Sequence, residues 1–176
     1  MVNKFRLSEA VTADFQSGIH RIRVIKAAEK HIPAIKELWV EFLKYSEEFH
    51  PVFAIRQGAA DHMEKMYLRP SMNDKMHQVL LALEGQKAVA YAVAKINEQL
   101  PIKNNIKTAT IEHLFVTHDF RRQGIGGQMY KEILKWFKAK GVNRIELQVI
   151  AKNKAACSFW KKQGYGDFEY IWELNI

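Results

Sequence analysis

The first part of the chain shows strand-like and then helical spacing of its apolar residues. Residues 21–25 (RIRVI) are typical of a strand. Between positions 29 and 49 the apolar residues recur at steps of three and four, namely at Ile32, Ile35, Leu38, Trp39, Phe42 and Leu43. This spacing predicts an amphipathic helix, and Pro33 fits its first turn, where proline is tolerated. A shorter helix is predicted over residues 59–68, ended by Pro70.

The middle of the chain contains three apolar, β-favouring runs, at residues 77–85, 87–97 and 108–117. The letters EGQK between the first two supply a tight turn, so these runs predict a hairpin. The third run leads through a glycine-rich stretch into a predicted helix over residues 126–140. Its apolar face consists of Ile125, Met129, Ile133, Trp136 and Phe137, as expected of a helix that packs on a core.

The last third of the chain continues the alternation of strands and helices. Gly141 ends the preceding helix, and clean alternation over residues 143–151 predicts a strand. Residues 155–163 predict a short helix closed by Gly164, and residues 165–174 predict a strand or hairpin. The predicted order is β-α-α-β-β-β-α-β-α-β, which indicates a mixed α/β fold.

The patterning predicts one folded domain over residues 21–176. No repeat, low-complexity segment or linker interrupts that range. Residues 1–20 lack clear periodicity, so we expect them to form a loose N-terminal arm. The length of 176 residues suits one domain with a sizeable core.

Composition narrows the class of protein. With 48% hydrophobic and 26% charged residues, the chain is typical of a soluble globular protein. It has no apolar run of about 18 residues and no secretory h-region at its start, so we expect a cytoplasmic protein. The single cysteine, Cys157, cannot form an internal disulfide. The histidines lack metal-ligand spacing, so no metal site is expected.

The positive charge is concentrated in one region. The chain carries a net charge of +8, yet residues 121–162 hold eleven lysines and arginines against two acids. That region alone is therefore more positive than the whole chain. It would attract a polyanionic ligand, and nucleic acid would give the same charge pattern. No recognition motif for nucleic acid accompanies the charge, so nucleic-acid binding is not the expected function.

The glycine-rich stretch RRQGIGG, residues 121–127, is the strongest local motif. It fails the dinucleotide fingerprint G-x-G-x-x-G, because Met129 occupies the third glycine position, and it lacks the P-loop string. It matches a third design, a strand followed by R-x-x-G-x-G and a helix, through Arg121, Gly124 and Gly126. Amides at a helix start have no intrahelical partner, so they can bind an anion such as a diphosphate. The alternative is a turn that needs glycine only for its conformation.

These motifs resemble those of the GNAT superfamily of N-acetyltransferases. The strongest part is residues 111–134, IEHLFVTHDFRRQGIGGQMYKEIL, with strand, loop and helix in the order of that family. A second block, NKAACSFWKKQGY, matches the family pattern at Asn153, Ala156, Phe159, Gly164 and Tyr165. A weaker resemblance lies in EFHPVF, residues 48–53. The resemblance covers roughly residues 21 to 174.

The resemblance implies a twisted mixed sheet of six to seven strands with about four helices. Its fourth and fifth strands would splay apart, and acetyl-CoA would enter the gap. Pantetheine would pair with the backbone of Leu114, Phe115 and Val116, and the diphosphate would bind the amides of residues 122–127. The implied cofactor-binding residues are these three, with Arg121, Arg122, Gln123, Gly124, Ile125, Gly126, Gly127, Asn153, Ala156, Phe159 and Trp160.

Acetyl transfer to an amine requires a proton acceptor, because only about one alkylamine molecule in a thousand is unprotonated at neutral pH. Glu112 is the candidate general base, since it is a carboxylate inside an apolar strand. The same residue would also fit a solvent-facing position or a pair with a lysine. His113 would face the other way in a regular strand, and becomes the alternative base if a bulge shifts the register.

The leaving thiolate poses the second proton problem. Many members of the family carry a tyrosine acid at the position of Trp160, and an indole N–H cannot act as that acid. Tyr165 is a weak substitute, with a core aromatic as its alternative role. A covalent intermediate on Cys157 is not expected, so direct attack in a ternary complex is the predicted mechanism.

The acceptor is expected to be a primary amine of a small molecule or peptide. By the resemblance, the acceptor wall would include Tyr45, Glu47, Glu48, Phe49 and Phe53, which equally suit a solvated helix end. The replacement of the usual tyrosine by Trp160 keeps open a second function, a non-catalytic acyl-CoA-binding module. A homodimer is expected only by analogy with the family.

Overall fold

The computed structural model describes residues 10–98 and 106–174. In these residues one six-stranded sheet has the spatial order β1-β2-β3-β4-β5-β6. The strands are β1 (Val11–Ser17), β2 (His20–Lys26), β3 (His77–Glu84), β4 (Lys87–Ile96), β5 (Thr108–Val116) and β6 (Arg144–Leu147). Neighbouring strands are antiparallel except β5 and β6, which are parallel. The sheet is therefore mixed, as the fold class predicts.

Helices cover both faces of this sheet. They are α1 (Ile32–Glu47), α2 (Ala59–Met63), α3 (Arg69–Asn73), α4 (Ile125–Ala139) and α5 (Lys154–Lys162). A π-helical turn, Glu64–Leu68, joins α2 directly to α3. Counting that continuous stretch as one segment, the described residues hold four main helical segments, which agrees with the expected number.

The core consists of two apolar layers separated by the sheet. On one face, Met129, Ile133 and Phe137 of α4 are fully buried against the central strands. On the other face, Ile35 and Leu38 of α1 pack against the alternate residues of those strands. This arrangement follows from the sequence pattern, because β3 and β4 are apolar on both faces and so require cover on both.

The loose arm expected over residues 1–20 is wrong for the segment that forms β1. That strand pairs with β2 in antiparallel register from Ser17↔His20 to Val11↔Ile25, with one irregularity. Its burial alternates only weakly, because it lies at the edge of the sheet, and this explains why no periodicity was visible. Residues 1–9 lie outside the described residues.

Pro70 does not end the helix that precedes it. The helical path continues through the π turn to Asn73, with Pro70 in the first turn of α3. The amide of Arg69 donates to the carbonyl of Glu64, five residues back. Since proline clashes with the carbonyl of a regular α turn, the wider turn before it allows the helical path to continue.

The predicted strand or hairpin over residues 165–174 is also wrong. The structure places no regular element there, although the apolar residues alternate. The side chains of Phe168, Tyr170, Ile171, Trp172 and Leu174 are largely exposed. A strand needs a paired neighbour for its backbone groups, and the described sheet ends at β6.

The splayed pair of strands is confirmed. The fourth and fifth strands of the prediction are β5 and β6 of the structure, because β1 was not among the predicted strands. Their pairing runs from Thr108↔Arg144 to Ile111↔Leu147 and stops there. Strand β5 continues to Val116 without β6 beside it. One edge of β5 is therefore open over its last five residues.

Candidate active site

A cleft of about 510 Å³ occupies the gap between the diverging strands. It extends from the open edge of β5 to the first turn of α4 and the inner face of α5. Every sequence-predicted site residue lines it except Gln123, namely Glu112, Leu114, Phe115, Val116, Arg121, Arg122, Gly124, Ile125, Gly126, Gly127, Asn153, Ala156, Phe159 and Trp160. Glu112 and Trp160, the first and last of these residues, are 48 positions apart in the chain and line the same cleft.

The loop before α4 holds its amides in an unusual backbone conformation. Arg122 has φ 62° and Gly124 has φ 85°, both left-handed. Left-handed residues close to a helix start turn successive N–H groups toward one point, which forms an anion-binding concavity. A strained non-glycine residue such as Arg122 is itself a feature of functional loops.

Gly126 brings the helix start close to the opposite wall of the cleft. A Cβ atom at this position would lie 3.6 Å from Val116 and 3.8 Å from the ring of Phe159. These are ordinary contact distances, so a side chain would fit there and would occupy the space between the two walls. With glycine, that space stays open to a ligand that approaches the amides.

Arg121 is turned toward the protein interior. Its Nε donates to the carbonyl of Val116 at 2.9 Å, and its guanidinium carbon lies 4.0 Å from the centre of the Tyr45 ring. This stacking joins the end of β5 to α1. Arg121, one of the implied cofactor-binding residues, thus makes its side-chain contacts within the protein.

Gln123 does not line the cleft, and its hydrogen bonds are made with residues that also do not line it. Its carbonyl accepts a hydrogen bond from the hydroxyl of Ser17, a residue 106 positions earlier, and its side-chain amide donates to the carbonyl of Asp119 at 3.0 Å. Ser17 is only 2% exposed. The hairpin of β1 and β2 thus braces the loop, a contact that no local pattern indicates.

Asn153 begins α5 and caps it. Its Oδ1 accepts from the amide of Ala156 at 3.0 Å, which satisfies one of the unpaired amides of the first turn. The cap uses the oxygen, so the side-chain NH₂ group can donate to a ligand in the cleft. Asn153 therefore stabilises the start of α5 and also lines the cleft.

A β-bulge in β5 brings Glu112 and His113 to the same face of the sheet. The register passes from Val93↔His113 to Ala94↔Ile111, so Glu112 is the extra residue. Tyr67, on the α1 side, contacts both: its hydroxyl donates to Glu112, and its ring lies 5.9 Å from that of His113. Of the two alternatives left open by the sequence, a regular or a bulged strand, the structure shows the bulged one, which is the condition stated for His113 as alternative base.

Glu112 has two partners for its carboxylate. Oε1 pairs with the ammonium group of Lys95 at 2.7 Å, and Oε2 accepts from Tyr67. Burial and the adjacent carboxylate raise the pKa of Tyr67 far above its usual range, so this tyrosine remains a donor. The pairing with a lysine, one of the two alternatives considered for Glu112, is present, and the carboxylate still lines the cleft.

His113 is uncharged at neutral pH. Burial among aromatic rings lowers its pKa from 6.5 to about 4, and the nearby carboxylate of Glu112 opposes this only in part. Its Nδ1 shares a hydrogen bond with the hydroxyl of Tyr91 at 3.2 Å. The neutral imidazole has a free lone pair, but the burial that lowers its pKa also disfavours the protonated form that a general base must adopt. Glu112 therefore stays the principal candidate base.

The depressed pKa of His113 predicts a pH-dependent stability. Between pH 6.5 and 4 the unfolded chain protonates this histidine and the folded protein does not, so unfolding becomes easier as the pH falls. The slope for this single residue is at most about 1.4 kcal/mol per pH unit. Chemical denaturation of the His113→Gln variant should show a flatter profile in this window. The exposed His118→Gln variant should follow the wild type, and equal profiles for both variants would contradict the assignment.

The two aromatic residues of α5, Phe159 and Trp160, belong to a cluster of four aromatic rings. Trp160 is 9% exposed and packs edge-on against Phe159, Tyr130 and Tyr165. Tyr165 is not among the residues lining the cleft. Burial raises the pKa of Tyr165 above its usual range, and a hydrogen bond with Tyr130 adds to this. These contacts support the core role of Tyr165 rather than that of an acid.

The expected acceptor wall is only partly present. Tyr45 lines the cleft, whereas Glu47, Glu48, Phe49 and Phe53 do not. Two residues that the sequence reasoning missed, Phe42 and Ser46, line it from α1. The helical spacing that placed Phe42 on the apolar face could have indicated it, because a residue one turn before Tyr45 lies on the same side.

A second groove lies away from this cleft, between α1 and the α2–α3 segment. Its walls carry the ion pairs of Lys36 with Asp61 and Glu64, and of Arg69 with Glu29 and Glu64. These ion pairs connect α1 and the segment before it with the α2–α3 segment. In residues 10–98 and 106–174, no cluster of three metal-ligating side chains occurs, and no helix is long and apolar enough to span a bilayer.

Sequence comparison identifies a family and a relative. A family model described as the acetyltransferase (GNAT) family matches residues 32–165. An uncharacterized N-acetyltransferase of Methanocaldococcus jannaschii is 34% identical over 65 residues, which are 37% of this chain and 29% of that relative. The chain thus aligns with less than a third of the length of this curated relative.

Solved structures share the architecture. A mutant of the BH1408 protein of Bacillus halodurans superimposes with a TM-score of 0.76 at 22% identity, over 87% of this chain and 98% of that one. AAC(6')-Iy in complex with the bisubstrate analog CoA-S-monomethyl-acetylneamine gives 0.66 at 14% identity, over 88% and 97%. At these identities the likeness establishes the fold alone.

Proposed function

The chain belongs to the acetyltransferase (GNAT) family, and on that premise we propose that it transfers the acetyl group of acetyl-CoA to a primary amine. The observation that carries the proposal is the cleft itself. It joins an open strand edge to a helix start that is preceded by two left-handed residues, Arg122 and Gly124. This combination suits a long ligand with a peptide-like arm and a diphosphate.

Each part of acetyl-CoA has matching groups in the cleft. The amides of its pantetheine arm would pair with the backbone of Leu114, Phe115 and Val116, along the edge that β6 leaves open. The diphosphate would bind the amides between Arg122 and Gly127, where the helix dipole adds to the attraction. The side-chain NH₂ group of Asn153 would donate to the pantetheine from the opposite wall.

The amine nitrogen would attack the thioester directly. Glu112 would accept the amine proton, either at once or through a water molecule. Its contacts with Lys95 and Tyr67 hold the carboxylate in one orientation, which reduces the entropy lost on the way to the reaction. His113, on the same face of the sheet, is the alternative proton acceptor.

The products follow from the bonds that form and break at the carbonyl carbon of the thioester. The new C–N bond forms as the C–S bond breaks, and the electrons of that bond leave as the CoA thiolate. Since an ordinary thiol has a pKa near ~8.5, the thiolate is a tolerable leaving group and takes its proton afterwards from solvent or from the protonated base. The indole of Trp160 can donate a hydrogen bond to the sulfur without giving up a proton.

Two measurements test the proposal. Isothermal titration of acetyl-CoA should show binding at one site, and release of free thiol should depend on an added amine. Binding without thiol release from any amine would favour the acyl-CoA-binding module, for which Trp160 is the supporting observation. Absence of binding would contradict both.

The brace from Ser17 predicts a specific effect on cofactor affinity. The Ser17→Ala variant leaves the carbonyl of Gln123 without its donor, and a typical hydrogen bond contributes about 0.5–1.5 kcal/mol. We therefore expect an acetyl-CoA Kd about threefold to tenfold higher with kcat unchanged. The control is Ser71→Ala, which removes another buried serine, located in α3. An unchanged Kd in Ser17→Ala would show that the hairpin does not position the loop.

A further inference from the structure

The acceptor side of the cleft is built from aromatic rings. The ring of Phe42 lies 5.3 Å from that of His113 and 5.8 Å from that of Phe115. Tyr45, almost one turn further along α1, lies 6.5 Å from Phe115. All four residues line the cleft together with Glu112. An acceptor that reaches Glu112 from this side must therefore lie against an apolar wall.

The charges in the cleft do not provide for a second cation. Among the described residues that line it, Glu112 is the only carboxylate, and both of its oxygens already have partners in Lys95 and Tyr67. Arg121 places a guanidinium group 4.0 Å from the ring of Tyr45. The acids at the end of α1, Glu47 and Glu48, are exposed and outside the cleft.

The aromatic wall and the lack of a second carboxylate in the described lining of the cleft favour some classes of amine over others. An ammonium group beyond the reacting one would lose its hydration without gaining a carboxylate, and it would approach the cation of Arg121. An aromatic or branched aliphatic body would instead replace water along the rings of Phe42 and Tyr45. The selection therefore depends on both shape and charge.

We propose that the acceptor is a small monoamine with an apolar body, and that polycationic amines such as polyamines and aminoglycosides are poor acceptors. This inference rests on the proposed acetyl transfer, and it goes further by naming the class of acceptor. Several solved structures with the same fold are aminoglycoside acetyltransferases. On this inference the chain would not share that activity.

The test compares phenethylamine and benzylamine with spermidine and kanamycin. Thiol release is measured for each amine at saturating acetyl-CoA, and binding of each amine to the CoA-loaded protein is measured by calorimetry. We expect kcat/KM at least tenfold higher for the two monoamines, with the same ranking in Kd. Turnover or binding of spermidine or kanamycin that equals that of the monoamines would overturn the inference.

The two measurements separate this inference from the proposal beneath it. If no amine releases thiol while acetyl-CoA still binds, the proposed acetyl transfer fails, and the calorimetric ranking alone decides whether the cleft selects apolar monoamines. Failure of both monoamines to bind would then overturn the inference as well.

A variant of the aromatic wall gives an independent check. Phe42→Ala should lower kcat/KM for phenethylamine at least fivefold, leave the value for spermidine unchanged, and preserve the Kd of acetyl-CoA. Phe168→Ala removes the same ring from an exposed position in the C-terminal segment and should behave as wild type. Equal losses for both amines in Phe42→Ala would show a general structural effect and contradict the assigned role.

Discussion

Replacing Glu112 with glutamine should lower kcat by about a hundredfold to ten-thousandfold, the usual contribution of a positioned general base. The variant keeps the shape of the side chain and its ability to accept from Tyr67, so the fold and the acetyl-CoA Kd should be preserved. The effect should be largest at neutral pH, where nearly all of the amine carries a proton. Thiol release against pH, with phenethylamine as acceptor, measures it.

The matched control for this variant is Glu146→Gln. It removes the same charge from β6, where Glu146 pairs with Arg144 at 2.8 Å outside the cleft, and its rate should equal that of the wild type. An undiminished rate in Glu112→Gln would remove Glu112 as the base. His113→Gln would then have to carry the loss, since the bulge places both residues on the same face.

Replacing Gly126 with aspartate should weaken acetyl-CoA binding by at least about a hundredfold. The Cβ atom of the new side chain would lie between Val116 and Phe159, which brings its carboxylate to the place where the diphosphate is proposed to bind. Two like charges at about 4 Å repel by several kcal/mol near a protein surface. An acid in the first turn of a helix is favourable for the helix itself, so the variant should fold. Isothermal titration gives the affinity, and the melting temperature without ligand gives the stability.

Gly85→Asp is the control for this substitution. It introduces the same residue in the turn between β3 and β4, where a Cβ atom meets nothing within 4 Å and where aspartate tolerates the left-handed backbone. Its acetyl-CoA affinity should equal that of the wild type. Wild-type affinity in Gly126→Asp would mean that the diphosphate does not bind at this helix start, and the proposed function would lose its main support.

The glycine loop and its helix could be predicted because their physics is local. The start of α4, observed at Ile125 against a predicted Gly126, depends on residues within a few positions of one another. The same holds for Asn153, whose capping contact is made with Ala156, three residues away. For this reason the predicted residues lie around one cleft, with Gln123 as the exception.

The state of the proposed base could not be predicted, because it depends on another strand and another helix. The bulge at Glu112 exists only relative to β4, since it is a mismatch between two registers. Lys95 belongs to that strand and Tyr67 to the π turn after α2. None of these partners has a spacing along the chain that relates it to Glu112.

The errors at the two ends of the chain share one cause. The β1 segment lacks clear periodicity and residues 168–174 alternate, yet the structure shows a strand in the first and none in the second. One becomes a strand because β2 offers a free edge to it, and the other has no regular element beyond β6. Strand formation is decided by the partner rather than by the segment, since a single strand cannot satisfy its own backbone groups.

The sequence by itself determined the mixed α/β fold, the helix faces that form the core and the loop that opens α4, because each of these follows from periodicity or from a few adjacent residues. The tertiary structure alone decided how β1 braces that loop, where β5 separates from β6, and which groups surround Glu112 and His113. These features are contacts between distant parts of the chain. Their geometry is set by strand register and packing, which no local pattern specifies.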